Sequence, residues 1–336
     1  MNMVPEIIIA GHICLDIIPA GAPPPALWQP GKLLEVGRAV MATGGVVANT
    51  GIALHRLGIR TRLMGKVGDD MIGRAILDLL RGVDPALAEG MIVACGEASS
   101  YTVVLNPPNV DRMFLHCPGA NDTFAAADVD DAKLAGAKLF HFGYPPLMRK
   151  IYSDGGRELE RLFRRVKAHG LTTSLDMVMV DPNADAGRVD WVAYLQRVLP
   201  VVDVFLPSLD EIQWMLGRPN ATPRELAEQL HAWGAGIVGL KLGADGLFVR
   251  WPDRERVAPC FAVDVVGTTG AGDCTIAGFL AGLVRGLPAD EVMTQAVAVG
   301  AYCCEAADAT SGVRSLAEIQ QRIQAGWPRR PSRYAA

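Results

Sequence analysis

From residue 130 onward the chain repeats one rhythm of short apolar runs and longer amphipathic stretches, and few folds accommodate it. Residues 137–142, 172–177, 202–206, 236–241 and 246–250 read as strands. Between and after them, residues 156–169, 191–199, 224–233, 274–285 and 291–306 read as helices. Such alternation predicts an α/β fold with a mostly parallel, Rossmann-like sheet and helices on both faces. Ligands of such sheets lie beyond the carboxyl ends of the strands.

The N-terminal third is less regular. Ile7-Ile8-Ile9-Ala10 ahead of Gly11 reads as a buried strand, residues 46–57 as a helix ending at Gly58, residues 62–65 as a strand and residues 73–80 as a helix. Residues 20–42 are rich in Pro and Gly and fit no βα unit. Three short strand signals follow at 91–94, 101–105 and 112–116, with a turn at 106–109. Segments 12–40 and 91–117 together predict a small β-sheet lid inserted into one domain. Residues 326–336, rich in Pro and Arg, are expected to be a flexible tail.

Composition narrows the partners. Half of the 336 residues are hydrophobic and 20% are charged, with a net charge of -4. No basic stripe interleaved with aromatics stands out, so nucleic acid is not an expected partner. Arg161, Arg164, Arg165 and Lys167 have helical spacing and read as a solvated helix face. The seven cysteines form no C-x-x-C pair, and most are expected as buried thiols in a reducing compartment. The N-terminus lacks a basic n-region, and no apolar run reaches the ~18 residues of a membrane span. A cytoplasmic, soluble protein is expected, without membrane association.

The most informative stretch is Gly267-Thr268-Thr269-Gly270-Ala271-Gly272-Asp273, running into an apolar helix. Unpaired N–H groups at a helix start, together with the helix dipole, make an anion site. The spacing Gly267-x4-Gly272 is that of a P-loop, but Asp273-Cys274 stands where Lys-[Ser/Thr] would be. A carboxylate beside a phosphate suits a general base that takes the proton of an attacking hydroxyl while amides stabilise the transferring phosphoryl group. An Asp capping a helix after a Gly turn reads equally well locally.

Further along the chain the sequence resembles the PfkB, or ribokinase-like, carbohydrate kinases. Their C-terminal signature is close to D-T-x-G-A-G-D, matched by residues 267–273. The N-terminal signature is similar to Gly44-Gly45-x3-Asn49-x3-Ala53-x3-Leu57-Gly58. Gly11-x4-Asp16, Gly65-x2-Gly68-x-Asp70-x2-Gly73 and Pro118-Gly119-Ala120-Asn121 also resemble family segments, over roughly residues 6–315. The resemblance implies transfer of the ATP γ-phosphoryl group to a sugar-like hydroxyl, with ATP and Mg²⁺ and, in some members, a monovalent cation such as K⁺. It implies Asp273 as base and the Gly270, Ala271 and Gly272 amides as anion hole. Asp16, Gly44, Gly45 and Asn49 would hold the acceptor. Lys241, Gly243, Gly246 and Ser208 would border the nucleotide, and Glu211 would orient the metal through water. The adenine pocket near Ala296–Ala301 is expected to be apolar. The family also implies a homodimer through the lid.

Several positions depart from the family pattern. Gly267 replaces the first Asp of the signature, which bears on cation activation. Lys241 stands where Thr is common, and Ser208 where Asn is. Cys14, Val46 and Gly143 replace an Asn, a Lys and a Glu of ribokinases, making the acceptor pocket more apolar. Tyr101, Arg112 and Tyr144 are candidates to reach the acceptor from the lid or rim. Beside a sugar kinase, a nucleoside kinase of the same fold and a sugar-binding pseudokinase remain open; a dehydrogenase is disfavoured, since no G-x-G-x-x-G follows the first strand.

Overall fold

The computed structural model describes residues 4–107 and 113–335. The lid region comes first in the chain. After β1 (Ile7–Gly11), the strands β2 (Cys14–Pro19) and β3 (Ala39–Gly44) lead into helix α1 (Val46–Arg56). Next come β4 (Thr61–Met64), β5 (Lys66–Gly68), α2 (Met71–Val83), β6 (Ile92–Ala94), β7 (Tyr101–Leu105) and β8 (Met113–Cys117). The regular part follows as β9 (Leu139–Gly143), α3 (Arg149–Tyr152), α4 (Arg157–Ala168), β10 (Thr172–Leu175), α5 (Trp191–Val198), β11 (Val204–Phe205), α6 (Leu209–Met215), α7 (Pro223–Ala232) and β12 (Ile237–Lys241). β13 (Leu247–Arg250), β14 (Glu255–Ala258), α8 (Ala271–Val284), α9 (Ala289–Cys304) and α10 (Leu316–Gln324) complete it.

Eight strands form the main sheet in the order β14-β13-β12-β11-β10-β9-β1-β4. The six from β12 to β4 run parallel, and β13 and β14 close one edge as antiparallel hairpins. Ile7, Ile8 and Ile9 are fully buried because helices cover both faces, so the strand reads as an unbroken apolar run rather than an alternating one. Ile7 and Ile9 pack with α1 and α8 on one side, and Ile8 with α4 and α5 on the other.

The small sheet has the order β3-β2-β7-β8, built from both irregular segments. One strand signal goes elsewhere. Ile92–Ala94 does not join this sheet but pairs in parallel with Lys66–Gly68 in a separate two-stranded ribbon. Asp70 ties that ribbon down: its carboxylate caps α2 through Gly73 N–H (2.7 Å) and accepts from the Ser99 N–H (2.8 Å). Asn121 likewise has a structural role, bonding both the N–H and the carbonyl of Ile13.

The C-terminal tail makes specific contacts with the body of the protein. The Trp327 ring stacks on Phe261 at 4.5 Å, Arg322 lies over Trp327, and Arg333 pairs with Asp245 at 2.7 Å. Aromatic packing and an ion pair thus hold a stretch whose composition alone suggested disorder. The basic face of α4 is a solvated face as expected, paired to Glu158, Glu160, Asp131 and Asp203. All seven cysteines are free thiols. Among the described residues no helix is long and apolar enough to cross a membrane.

Candidate active site

The carboxyl ends of the parallel strands carry a line of functional groups. His12 follows β1, Tyr144 follows β9, Asp176 follows β10, Ser208 lies just past β11, and Lys241 ends β12. Opposite them is the start of α8. Gly270 is its N-cap, with φ 76°, a conformation that glycine adopts freely. A side chain there would also meet Ala309 at 2.5–2.8 Å. Helix α8 begins at Ala271, three residues earlier than the sequence suggests, so Asp273 lies within the first turn. The Ala271 N–H donates to the Thr268 carbonyl (3.2 Å), whereas among the described residues no protein acceptor is bonded to the Gly270 or Gly272 N–H.

Asp273 does not act as the helix cap. The N-cap of α8 is Gly270, without a side-chain cap bond, and Asp273 is buried. Oδ2 accepts from Asn49 Nδ2 at 3.0 Å, and Oδ1 from the Thr50 hydroxyl at 3.4 Å. The Tyr144 hydroxyl donates to both oxygens at 2.9 Å. Burial pushes the Asp273 carboxyl above its ordinary range, opposed by Asn49, Lys241, Tyr144 and Thr50. A raised carboxyl is a better proton acceptor for a hydroxyl than an ordinary one. Asn49 comes from α1, so this contact joins elements 224 residues apart and brings the two signature segments together.

Around Asn49, the paired glycines are required by close approaches. A Cβ at Gly44 would lie 2.5–2.6 Å from the Asp16 carboxylate. Gly45 has φ 84°, and a Cβ there would strike His12 Nδ1 at 2.5 Å and its carbonyl at 2.6 Å. Asp16 sits on β2, with Cys14 Sγ donating to it at 3.3 Å. Burial raises its carboxyl from 3.8 to about 6, with the Cys14 and Thr102 hydrogen bonds opposing. Asn49 Oδ1 and His12 Nδ1 are buried without a hydrogen-bond partner among the described residues.

His12 was not a sequence candidate, nor was His116 on β8. Their Nε2 atoms lie 3.4 Å apart, and His116 Nδ1 is 3.0 Å from the Thr102 hydroxyl. Burial keeps both imidazoles neutral by lowering their proton affinity, and for His12 the neighbouring His116 adds to the effect. Two of the departures from ribokinases explain each other. A Cβ on Gly143 would meet Val46 Cγ2 at 2.5 Å, so the valine fills the space that a larger residue at 143 would need. Tyr101 is half-buried on the lid strand β7; Arg112 lies outside the described residues.

On the other side of α8, Ser208, Lys241, Gly243 and Gly246 border one cavity of about 310 Å³ together with Ala271 and Gly272. Its far wall is Val297, Gly300 and Ala301 of α9, an apolar surface. At Gly300 a Cβ would meet the Thr275 hydroxyl at 2.2 Å, so α8 and α9 pack this closely only because the residue is glycine. A Cβ at Gly246 would likewise lie 2.0 Å from the Ala258 carbonyl oxygen.

Lys241 is held rather than loose. Its ammonium bonds Asp176 at 2.6 Å, and its Cε and Nζ lie 3.5 and 3.8 Å from the Cβ position of Gly272. Asp176 is almost fully buried; burial raises its carboxyl and Lys241 opposes that shift, while Asp176 and Glu211 raise the ammonium. Asp176 was missed in the sequence, though its place directly after a parallel strand was the available signal. Glu211 accepts from the Ser208 N–H at 2.7 Å, so part of its role is to cap α6. Among the described residues no group of three or more His, Cys, Asp or Glu side chains encloses a metal site. Glu211 and Asp176 do not line the cavity but are bonded to Ser208 and Lys241, which do, and they carry hard oxygen donors of the kind that suits Mg²⁺, an ion that keeps most of its waters and relies on phosphates.

A Rossmann-like sheet, a β-sheet lid and a glycine loop with an aspartate in the first helical turn define a class, and sequence comparison agrees. Residues 5–316 match the model of the pfkB family carbohydrate kinases, and the chain belongs to that family. It is 30% identical over 266 residues to an uncharacterized sugar kinase of Archaeoglobus fulgidus, covering 78% of this chain and 98% of that one. It is 26% identical over 341 residues to fructokinase-2 of Oryza sativa subsp. japonica, covering 95% and 94%. In fold it is similar to Arabidopsis thaliana ribokinase complexed with ribose and ATP, with a TM-score of 0.78, 19% identity and coverage of 96% and 99%. The chain is thus a carbohydrate kinase by family.

Proposed function

We propose that the chain transfers the γ-phosphoryl group of ATP to a hydroxyl of a sugar or sugar-like acceptor, with Asp273 as general base. The observation that carries this reading is the buried Asp273 carboxylate, held by Asn49 from the other signature and set one residue past the Gly272 amide. Asp273 takes the proton of the attacking hydroxyl at a carboxylate oxygen. The Gly270 and Gly272 N–H groups, and Ala271 as far as its turn bond allows, stabilise charge spread over the phosphoryl group. Asp16 and Asn49 Oδ1 accept hydrogen bonds from other hydroxyls of the acceptor, which lies against the backbone of Gly44 and Gly45.

The nucleotide occupies the cavity between Gly243, Gly246 and α9, its base against Val297 and Ala301 and its phosphates towards Lys241 and Ser208. Lys241 supplies a fixed positive charge beside the anion hole, held in place by Asp176. Glu211 and Asp176 would hold Mg²⁺ through water, and the ion would neutralise charge on the phosphates. A monovalent cation has less support: Gly267 brings no carboxylate, and the Thr269 carbonyl accepts from the Cys303 thiol at 3.3 Å.

The outer side of the lid offers an interface for a second copy. Val40, Met41, Phe114 and Leu115 on its edge strands β3 and β8 are all more than half exposed. Exposed apolar edges of this kind are normally covered, and a homodimer through the lid is the arrangement we infer.

The reading is tested with D-fructose, D-ribose, D-gluconate and adenosine, each with ATP and Mg²⁺, by ADP release and mass of the phosphorylated product. Phosphorylation of a sugar or sugar acid is expected. Phosphorylation of adenosine alone would place the chain among nucleoside kinases, and ligand binding with no ADP release would make it a pseudokinase.

A further inference from the structure

Tyr144 is the one non-glycine residue with positive φ among the described residues, at φ 63° and ψ 44°. For a tyrosine that left-handed backbone is unfavourable and persists only where the surroundings enforce it. What it achieves is placement. The residue follows β9 directly, its ring lies 6.0 Å from that of His12, and its hydroxyl reaches both oxygens of Asp273 at 2.9 Å.

A carboxylate offers about four acceptor positions. Asn49 takes one on Oδ2 and Thr50 one on Oδ1, both from α1 and both on the protein side. The Tyr144 hydroxyl shares its one proton between the two oxygens, and its own oxygen, 2.9 Å from both, stands against their remaining positions. An acceptor hydroxyl that gives its proton to Asp273 therefore has to take a position that Tyr144 holds. The phenol is suited to this duty: burial and the Asp273 charge push its ionisation well above the ordinary value, so it remains a donor and does not compete for the proton.

We propose that Tyr144 stands in for the acceptor hydroxyl, occupying the open positions of the catalytic carboxylate until an acceptor replaces it, and so makes transfer selective for the acceptor over water. The uncoupled reaction it suppresses is hydrolysis. A water oxygen would bond to the γ-phosphorus, the bond to the ADP oxygen would break, and the water proton would pass to Asp273. With the phenol oxygen 2.9 Å from both carboxylate oxygens, that water meets Tyr144 where it would have to approach Asp273. Tyr144 is a specificity-determining residue, and its role rests on Asp273 being the base.

The test is ADP release by the full chain with ATP and Mg²⁺ and no acceptor, for wild type, Tyr144→Phe, Tyr144→Gly, Asp273→Asn and the double variant Y144F/D273N. Tyr144→Gly removes the hydroxyl and relieves the backbone, so it also guards against a folding defect in one variant. Acceptor-free hydrolysis is expected to rise about tenfold or more in both single Tyr144 variants, and the gain is expected to vanish in the double variant. Unchanged or lower hydrolysis in both Tyr144 variants would overturn the proposal. Phosphate found on Tyr144 by intact mass would overturn it too, since the hydroxyl would then be a nucleophile rather than a shield. Failure of the base assignment looks different. The gain would persist in the double variant, and D273N would still phosphorylate any acceptor that the wild type phosphorylates.

Discussion

Asp16 is a half-buried carboxylate proposed to bind the acceptor in its ionised form, and its titration should therefore be visible twice. Its carboxyl is raised to about 6, chiefly by burial. As an acceptor of substrate hydrogen bonds it must be deprotonated, so kcat/KM for the acceptor should fall as pH drops through about 6, with a rise in KM. The stability effect has the opposite sense. A folded-state value above the unfolded one means that protonation favours the fold, so this contribution is full below pH 3.8 and is lost as pH rises through about 6. Asp16→Asn should accordingly melt higher than wild type at pH 8, with the gap narrowing towards pH 4, while acceptor KM rises at least tenfold. A melting difference independent of pH would contradict this. Single residues were unevenly legible. Asp16, Asn49 and Asp273 belong to spaced motifs and stand out. Thr50, His12 and His116 do not, because their role comes from segments brought together across 14 to 223 positions, which local spacing does not record.

At the scale of elements, the start of α8 and the end of β12 carry the site. Gly270→Ala places a side chain in a left-handed conformation at about 1 to 2 kcal/mol, and its Cβ would meet backbone atoms of Ala309 at 2.7–2.8 Å. A lower denaturation midpoint and a loss of phosphoryl transfer greater than the loss of ATP binding are expected, since the loop geometry is what fails. The Lys241–Asp176 pair makes a second prediction. Lys241→Met leaves Asp176 buried and unpaired, which should destabilise the fold by about 3–5 kcal/mol in denaturant melts. Adding Asp176→Asn should recover most of that stability but not ATP affinity, which depends on the ammonium; equal recovery of both would remove Lys241 from the nucleotide site. The elements themselves were largely readable, because strands buried on both faces give apolar runs that helices interrupt. Where the reading failed, the cause was tertiary. The strand at Ile92–Ala94 has an ordinary β pattern, and only the fold decides that its partner is Lys66–Gly68 rather than the lid.

For the whole molecule, the lid is both a cover and the proposed interface. Light scattering at micromolar concentration should return twice the 35.9 kDa chain mass, and the double substitution Val40→Lys, Met41→Lys should return a monomer. A wild-type monomer would remove the second copy from the account. The arrangement of the main sheet was legible from the rhythm of strand and helix, while the order of its strands and the anchoring of the tail by Trp327 and Arg333 were not, since both depend on contacts between distant segments. What joins α1, the end of β9 and α8 is one carboxylate. The direct test is therefore phosphoryl transfer by Asp273→Asn to whichever acceptor the wild type phosphorylates, with ATP binding measured alongside. The account predicts a fall of about 10²- to 10⁴-fold in kcat with ATP binding kept; transfer at the wild-type rate would contradict it.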